Sequence, residues 1–188
     1  MWEGGGLLAE SNITKRALAV ALKELVESRP FSKISIGDIC EQCAISRKSF
    51  YYHFKDKYDL VNWIYYTEFI AAAEQKKYAL GWDFLEDLCV YFYNNHDFYR
   101  KTLNVAGQNS FSEYFRSVVM MIITNIMETI YSKDDPIDFY VGFYTDAFYC
   151  AIKKWMLDRE CIAADAFVRQ LKACLFGTSV KIVEGLSE

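Results

Sequence analysis

Three helix-start signals crowd the segment from Ser35 to Asp56, and that density constrains the fold more than any other feature of the chain. Ser35 with Asp38 three residues on reads as a capping box. Ser46 stands directly before Arg47-Lys48-Ser49-Phe50, and Asp56 precedes Lys57 with Asp59 at its third position. A side-chain oxygen at such a position takes up a backbone N–H that the first turn of a helix leaves without a partner. Caps this close together require short helices joined by sharp turns. The segment therefore reads as one helix from Ser35 to Cys43, a turn at Ala44-Ile45, a second helix capped by Ser46, and a third starting after Asp56.

Apolar residues at helical spacing extend the pattern to both sides. Ile13, Ala17, Leu18, Ala21, Leu22, Leu25 and Val26 predict a helix from about Ile13 to Ser28, capped by Ser11 or Asn12 and closed by Pro30. A long helix is expected from Lys57 into Glu74-Gln75-Lys76-Lys77. Further helices are expected over 82–95, 97–104, 110–131, 136–158 and 165–184. Ser110 with Glu113 reads as another capping box, and Asp135-Pro136 places proline at a first helical position. No repeat, low-complexity tract or strand-like alternation interrupts this series. The fold class expected is all-α, in two parts: residues 1–60, of which 1–10 would be a flexible arm, and residues 61–188.

Charge is divided unevenly between those parts. The chain carries a formal net charge of −4, yet Arg47, Lys48, Lys55 and Lys57 lie within fourteen residues that contain a single acid, Asp56. Attraction to phosphate depends on the local potential at the contact face, so this cluster weighs more than the total. Apolar runs such as Val118–Ile123 fall far short of the ~20 residues a membrane span needs. The first residues show no basic start followed by a long apolar segment. A cytoplasmic protein with no membrane association is expected.

Six cysteines are scattered through helical patterns, where structural disulfides are not expected in a cytoplasmic chain. Cys40 and Cys43 form a C-x-x-C, the spacing of a redox or zinc site. No second pair or nearby His pair completes a metal set, and both positions suit small apolar packing residues. No metal and no cofactor is expected. His96-Asp97 lacks a nucleophile at useful spacing, and no glycine-rich phosphate loop follows a strand, so catalysis is not expected either.

The chemistry of the short helices points to nucleic acid. A rigid, donor-rich helix on a small hydrophobic core suits insertion into a DNA major groove. Arg47 and Lys48 would reach base edges, Arg by bridging guanine O6 and N7. Ser49 and Tyr52 can reach bases or phosphates through their hydroxyls. Lys57 and Ser35, at helix starts, would anchor the phosphate backbone. The bland alternative is a solvated basic face; for Phe50 and Phe54 a core role is the better reading.

Phe31, Ser35-Ile36, Asp38-Ile39, Cys43-Ala44-Ile45-Ser46, Phe50-Tyr51, His53-Phe54, Lys57 and Leu60 together resemble the helix-turn-helix of the TetR/AcrR family of bacterial transcriptional regulators. The Phe-Tyr-x-His-Phe-x-x-Lys ending makes the likeness specific over about 50 residues; beyond it the likeness is architectural. A fainter likeness to the subgroup of dihydroxyacetone-kinase operon activators is carried by Phe50–Leu60 and by Asp97-Phe98-Tyr99-Arg100-Lys101. One residue departs from the pattern: the family usually has glycine where this chain has Ala44. If that position needs a positive φ, alanine costs on the order of 1 kcal/mol.

The resemblance implies a three-helix DNA-binding domain followed by a helical domain for ligand binding and dimerisation. It adds Tyr51 and His53 as phosphate contacts. It implies a homodimer on a palindromic double-stranded operator, with Ile152, Trp155, Leu171 and Thr178 of the last two helices at the interface. It also implies a small, largely apolar or aromatic effector. Tyr144 and Phe148 are expected to line its pocket, with His96, Asn104, Gln108 and Asn109 supplying polar groups. Two alternatives stand beside a ligand-released repressor. One is a DNA-binding activator controlled by a partner protein, which a filled core would favour. The other is a small helical enzyme or carrier whose basic helix is coincidental.

Overall fold

A computed structural model of the protein describes residues 4–76, 78, 81–105, 110–132 and 134–177, with the backbone alone for residues 4–10. All regular structure among these residues is helical, as the sequence pattern predicts. The elements are α1 (Gly4–Ser28), a 3-10 turn (Phe31–Lys33), α2 (Ile36–Gln42), α3 (Arg47–His53), α4 (Lys57–Tyr65) and α5 (Ala71–Gln75). They are followed by α6 (Gly81–Asn94), α7 (His96–Leu103), α8 (Phe111–Ile130), α9 (Ile137–Leu157) and α10 (Ala164–Lys172). None of the described helices is long and apolar enough to cross a membrane.

Three boundaries differ from the sequence expectation. α1 starts at Gly4, so Ser11 and Asn12 lie inside it rather than capping it. Leu7, Leu8, Ala9 and Glu10 are all good helix formers and carry the helix back past the polar pair. The long helix expected after Lys57 runs unbroken to Gln75, but with a π-helical turn at Tyr66–Ile70 that divides it into α4 and α5. Pro136 is the N-cap of α9 rather than its first residue, with Asp135 accepting hydrogen bonds from the Ser132 backbone N–H and hydroxyl, both at 2.8 Å.

The described chain forms two compact units, one of Met1–Gln75 with Asp97–Val118, the other of Lys76–His96 with Val119–Glu188. The first unit is thus discontinuous in sequence, and residue 60 falls inside it. Its cohesion beyond residue 60 centres on Tyr65, which is fully buried at the end of α4. The Tyr65 ring meets those of Phe69, Tyr99, Phe111, Tyr114 and Phe115 at centroid distances of 5.3 to 6.3 Å. Four of these contacts are edge-on and that with Phe69 is stacked, and aromatic pairs of either kind each add roughly 0.5–1.5 kcal/mol beyond area burial. Lys101 of α7 donates to the carbonyls of Val26 and Glu27 at 2.5 and 3.0 Å, supplying the cation that the C-terminal end of α1 favours. Lys23 of α1 pairs with Glu68 at 2.6 Å.

In the second unit, α6, α8, α9 and α10 pack around Leu88, Cys89, Phe92, Ile123, Ile152 and Met156, all buried. Trp155 stacks on Phe167 with centroids 4.4 Å apart and planes 5° from parallel, and its indole N–H donates to the Ile162 carbonyl at 2.8 Å. α8 belongs to both units: its residues to Val118 count with the first, those from Val119 with the second.

Candidate functional site

The three caps read from the sequence are all formed. Ser35 Oγ accepts from the Asp38 N–H at 3.1 Å while the Asp38 carboxylate accepts from the Ser35 N–H at 2.7 Å, which closes the capping box. Ser46 Oγ accepts from the Ser49 N–H at 3.1 Å. Asp56 accepts from the N–H groups of Tyr58 and Asp59, each at 2.8 Å. Arg29 stands 3.5 Å from Asp38 and ties the end of α1 to this start. The Ser35 N–H and hydroxyl, then Arg29, hold the Asp38 carboxyl below its ordinary value.

Between α2 and α3 the chain reverses through a Schellman closure. The Ile45 N–H donates to the Cys40 carbonyl at 2.9 Å and the Ala44 N–H to that of Glu41 at 3.2 Å. Ala44 carries a φ of 54°, the only positive φ among the described non-glycine residues. Glycine is usual at this position because a Cβ in the left-handed region crowds its own carbonyl.

α3 is held from beneath and open above. Phe50 and Phe54 are buried, and Phe50 meets Tyr51 and Phe54 at 5.7 and 5.8 Å between ring centroids. Arg47 and Lys48 are exposed, Ser49 is half-buried, and Tyr51 and Tyr52 are 52% and 81% exposed. His53 is half-buried, and burial followed by the nearby charge of Lys15 holds its imidazole below the ordinary value. Lys15 on α1 adds a charge near this basic face beyond the residues singled out from the sequence. Lys15 could not have been found by spacing, because it reaches His53 from thirty-eight positions away.

Lys57 uses its charge differently from the sequence expectation. Its Nζ lies 2.7 Å from the Ile34 carbonyl, 2.8 Å from that of Phe31 and 3.5 Å from that of Ser32. It also sits 4.6 Å from the centroid of the Phe31 ring. An ammonium has three donors, and here they face main-chain oxygens of the 3-10 turn and of Ile34 just after it. Desolvation holds its pKa below the ordinary lysine value. Cys40 is buried and Cys43 half-buried with its thiol 3.1 Å from the Ile39 carbonyl; burial raises both thiol pKa values. Among the described residues no three His, Cys, Asp or Glu side chains are grouped to hold a metal ion.

The second unit contains a cavity of about 620 Å³. Ligand sites typically occupy ~300–1,000 Å³, so this one is large enough for a small molecule. Trp82, Leu85 and Leu88 of α6 form one wall and Tyr144, Phe148 and Ile152 of α9 another. Val119, Ile122, Ile123, Ile126 and Met127 of α8 complete it, with Leu175 and Phe176 from the π-helical turn after α10. A Cβ at Gly81 would stand 2.7 Å from the tip of Ile126, so the start of α6 approaches α8 closely at this cavity.

Of the residues expected to line an effector pocket, Tyr144 and Phe148 lie on the wall of this cavity. His96 and the exposed Asn104 do not, because they lie at the two ends of α7. Gln108 and Asn109 fall outside the described residues, as does Thr178. The two α9 residues expected at an interface are buried within the chain. Ile152 is 1% exposed and lines the cavity, and Trp155 is 6% exposed and locked in its stack with Phe167. Leu171 is half-buried. The outward face of α9 carries Phe139 and Phe143 instead, 70% and 60% exposed and stacked on each other at 6.5 Å, followed by exposed Ala147 and Cys150.

A capped helix-turn-helix followed by helices around a cavity defines a DNA-binding transcriptional regulator, and comparison with known proteins agrees. Residues 14–64 match the family described as "Bacterial regulatory proteins, tetR family", and residues 82–177 match "Transcriptional regulator C-terminal region". The chain belongs to the TetR family of bacterial transcriptional regulators. It is 26% identical over 145 residues to the HTH-type dhaKLM operon transcriptional activator DhaS of Lactococcus lactis, covering 76% of this chain and 74% of that protein. Its fold resembles that of a TetR transcriptional regulator from Streptococcus agalactiae, with a TM-score of 0.66 and 22% identity over 86% of this chain and 93% of the other. It also resembles the dihydroxyacetone kinase operon activator DhaS, with a TM-score of 0.63 and 20% identity over 88% and 96%.

Proposed function

We propose that the chain acts in the cytoplasm as a homodimer on a near-palindromic double-stranded operator and is released from it as a repressor by a small apolar effector. The observation that carries this reading is the asymmetry of α3. Its inner face is fixed by the fully buried Phe50, while Arg47, Lys48 and Tyr52 are all exposed, Lys48 and Tyr52 on the side opposite Phe50 and Arg47 at the helix start. Arg47 and Lys48 read base edges in the major groove. Ser49, Tyr51, Tyr52 and His53 add base or phosphate contacts, and Ser35 places the start of α2 against the backbone. Lys57 serves by fixing the 3-10 turn that precedes Ser35. Residues 1–60 thus read DNA, while residues 61–188 bind the effector and pair the protomers.

Two recognition helices have to enter successive major grooves about 34–36 Å apart, which requires two copies of the chain. The Phe139–Phe143 face of α9 supports pairing there, since large adjacent rings left in water mark an interaction surface. The open cavity supports control by a small molecule. Val119, Ile122 and Ile126 on its wall share one helix with Phe111 and Phe115, which pack on Tyr65 at the end of α4. An effector that shifts α8 would therefore move the helix that follows α3. A second reading, activation under the control of a partner protein, draws on the likeness to the DhaS operon activator.

Selection of bound sequences from a random duplex pool at two salt concentrations tests the proposal. It predicts a recovered near-palindrome and a steep fall of affinity with salt. Recovery of no sequence at low salt would refute it as stated and leave the partner-dependent activator as the better reading.

A further inference from the structure

We infer that the cavity of the second unit selects an uncharged, flat, apolar ligand and rejects an ionised one of the same shape. This rests on the cavity being the effector site and names what that site takes. Among the described residues the lining contains no Asp, Glu, Lys, Arg or His side chain. Its side-chain polar groups are the Trp82 indole N–H and the hydroxyls of Tyr144 and Thr129, and the Thr129 hydroxyl already donates to the Ile126 carbonyl at 2.7 Å. The His and Asn residues that would orient a polar ligand lie elsewhere or outside the described residues.

The Lys172 charge beside the aromatic wall is already paired. Lys172 stands 5.4 Å from the Trp82 ring centroid, but its ammonium is 2.5 Å from Glu86 and neither residue lines the cavity. An ionised carboxylate or sulfonate entering this space would lose its water with no cation among the described lining residues to replace it. A flat apolar ring system meets the opposite situation. Trp82 lies between Phe148 and Phe176, at centroid distances of 6.1 and 5.8 Å, so three rings form a continuous aromatic wall. Ring faces and edges at these separations accept a further aromatic guest, and the branched side chains of α8 close the opposite side. A small polyol would leave most of the cavity empty and its own hydroxyls without partners.

A matched pair of probes tests the inference on the intact protein without DNA. N-phenyl-1-naphthylamine and 8-anilinonaphthalene-1-sulfonate share a ring skeleton, and only the second carries a fixed charge. The neutral probe should bind with one site per chain and a blue-shifted emission, and the sulfonate at least tenfold more weakly. Two filling variants, Ile122→Trp and Val119→Phe, should each weaken the neutral probe at least tenfold while helical circular dichroism stays unchanged. Two variants are needed because either alone could disturb α8. Equal binding of both probes would overturn the inference, as would neutral-probe binding that survives whichever variant remains folded. If the neutral probe binds as stated but operator affinity does not respond to it, the ligand class stands and the proposed regulation fails.

Discussion

Lys57 donates to the carbonyl of Ile34 at 2.7 Å, so the first residue of α4 pins the strand of chain that leads into the Ser35 cap. Replacing it with methionine keeps much of the packing on Phe31 and strips the donors from three carbonyls. Lys57→Met should cost about 1–3 kcal/mol in a urea titration. The slope of operator affinity against salt should change by much less than the roughly one unit expected for a lost phosphate contact. A full unit of slope with unchanged stability would make Lys57 a DNA contact after all.

Ala44 holds a left-handed backbone at a helix end where glycine has no steric cost. Ala44→Gly should raise stability by about 1 kcal/mol, the relief of the Cβ contact less the added freedom of the unfolded chain. For a chain of this length that is roughly 2–4 °C in the thermal midpoint. A lower midpoint would show that the surrounding packing depends on the methyl group.

Arg47 is exposed and makes no described contact that stability depends on, so its removal separates recognition from folding. Arg47→Ala should weaken operator binding by about 1–3 kcal/mol and relax base preference at one position, with the melting curve unchanged. Fluorescence anisotropy with the selected operator and single-base variants reads both effects. Equal loss on every sequence would make Arg47 a phosphate contact.

The two faces of α9 should respond in opposite ways. Phe139→Glu with Phe143→Glu places charge on rings that are mostly in water, and should halve the mass seen in sedimentation velocity while leaving the protomer folded. Trp155→Ala should instead destabilise by about 3–5 kcal/mol, as expected for a buried aromatic. A dimer that survives the double variant would move the interface elsewhere.

Acid should open the α2 cap. The folded-state pKa of Asp38 is held below its ordinary 3.8, chiefly by the Ser35 N–H, so its contribution is complete above that value. It is lost as pH falls through the folded value. The urea midpoint of Asp38→Asn should lie below that of the unaltered protein at neutral pH, and the two should converge on acidification. A gap that stays constant below pH 3.8 would assign the effect to shape rather than charge.

The helix-turn-helix was legible because its evidence is local. Caps, turn and buried phenylalanines all fall within one short stretch, where each residue constrains the next. The two faces of α9 were not legible, because both are aromatic. Phe139 and Phe143 alternate with Tyr144, Phe148 and Ile152, and no apolar pattern says which set meets the cavity. His96 and Asn104 attracted notice for their chemistry, while the aliphatic face of α8 that forms the wall looked like ordinary core. The π-helical turn at Tyr66–Ile70 has no sequence signature of its own, and Lys57 shows how a cation well placed for phosphate can instead be absorbed by carbonyls from twenty-three residues upstream.

The shared membership of α8 bears on how such a protein could be rebuilt. Exchanging its sensor for another by a single crossover after the DNA-reading helices would strand Phe111 and Phe115 without Tyr65. A working chimaera has to keep residues 97–118 with the donor of α3 and α4, and so requires three junctions, at 75/76, 96/97 and 118/119, the last inside a continuous helix. Under the proposed function, new specificity comes more readily by point substitution along Val119 to Ile130, where a change in the cavity wall leaves the aromatic anchor in place.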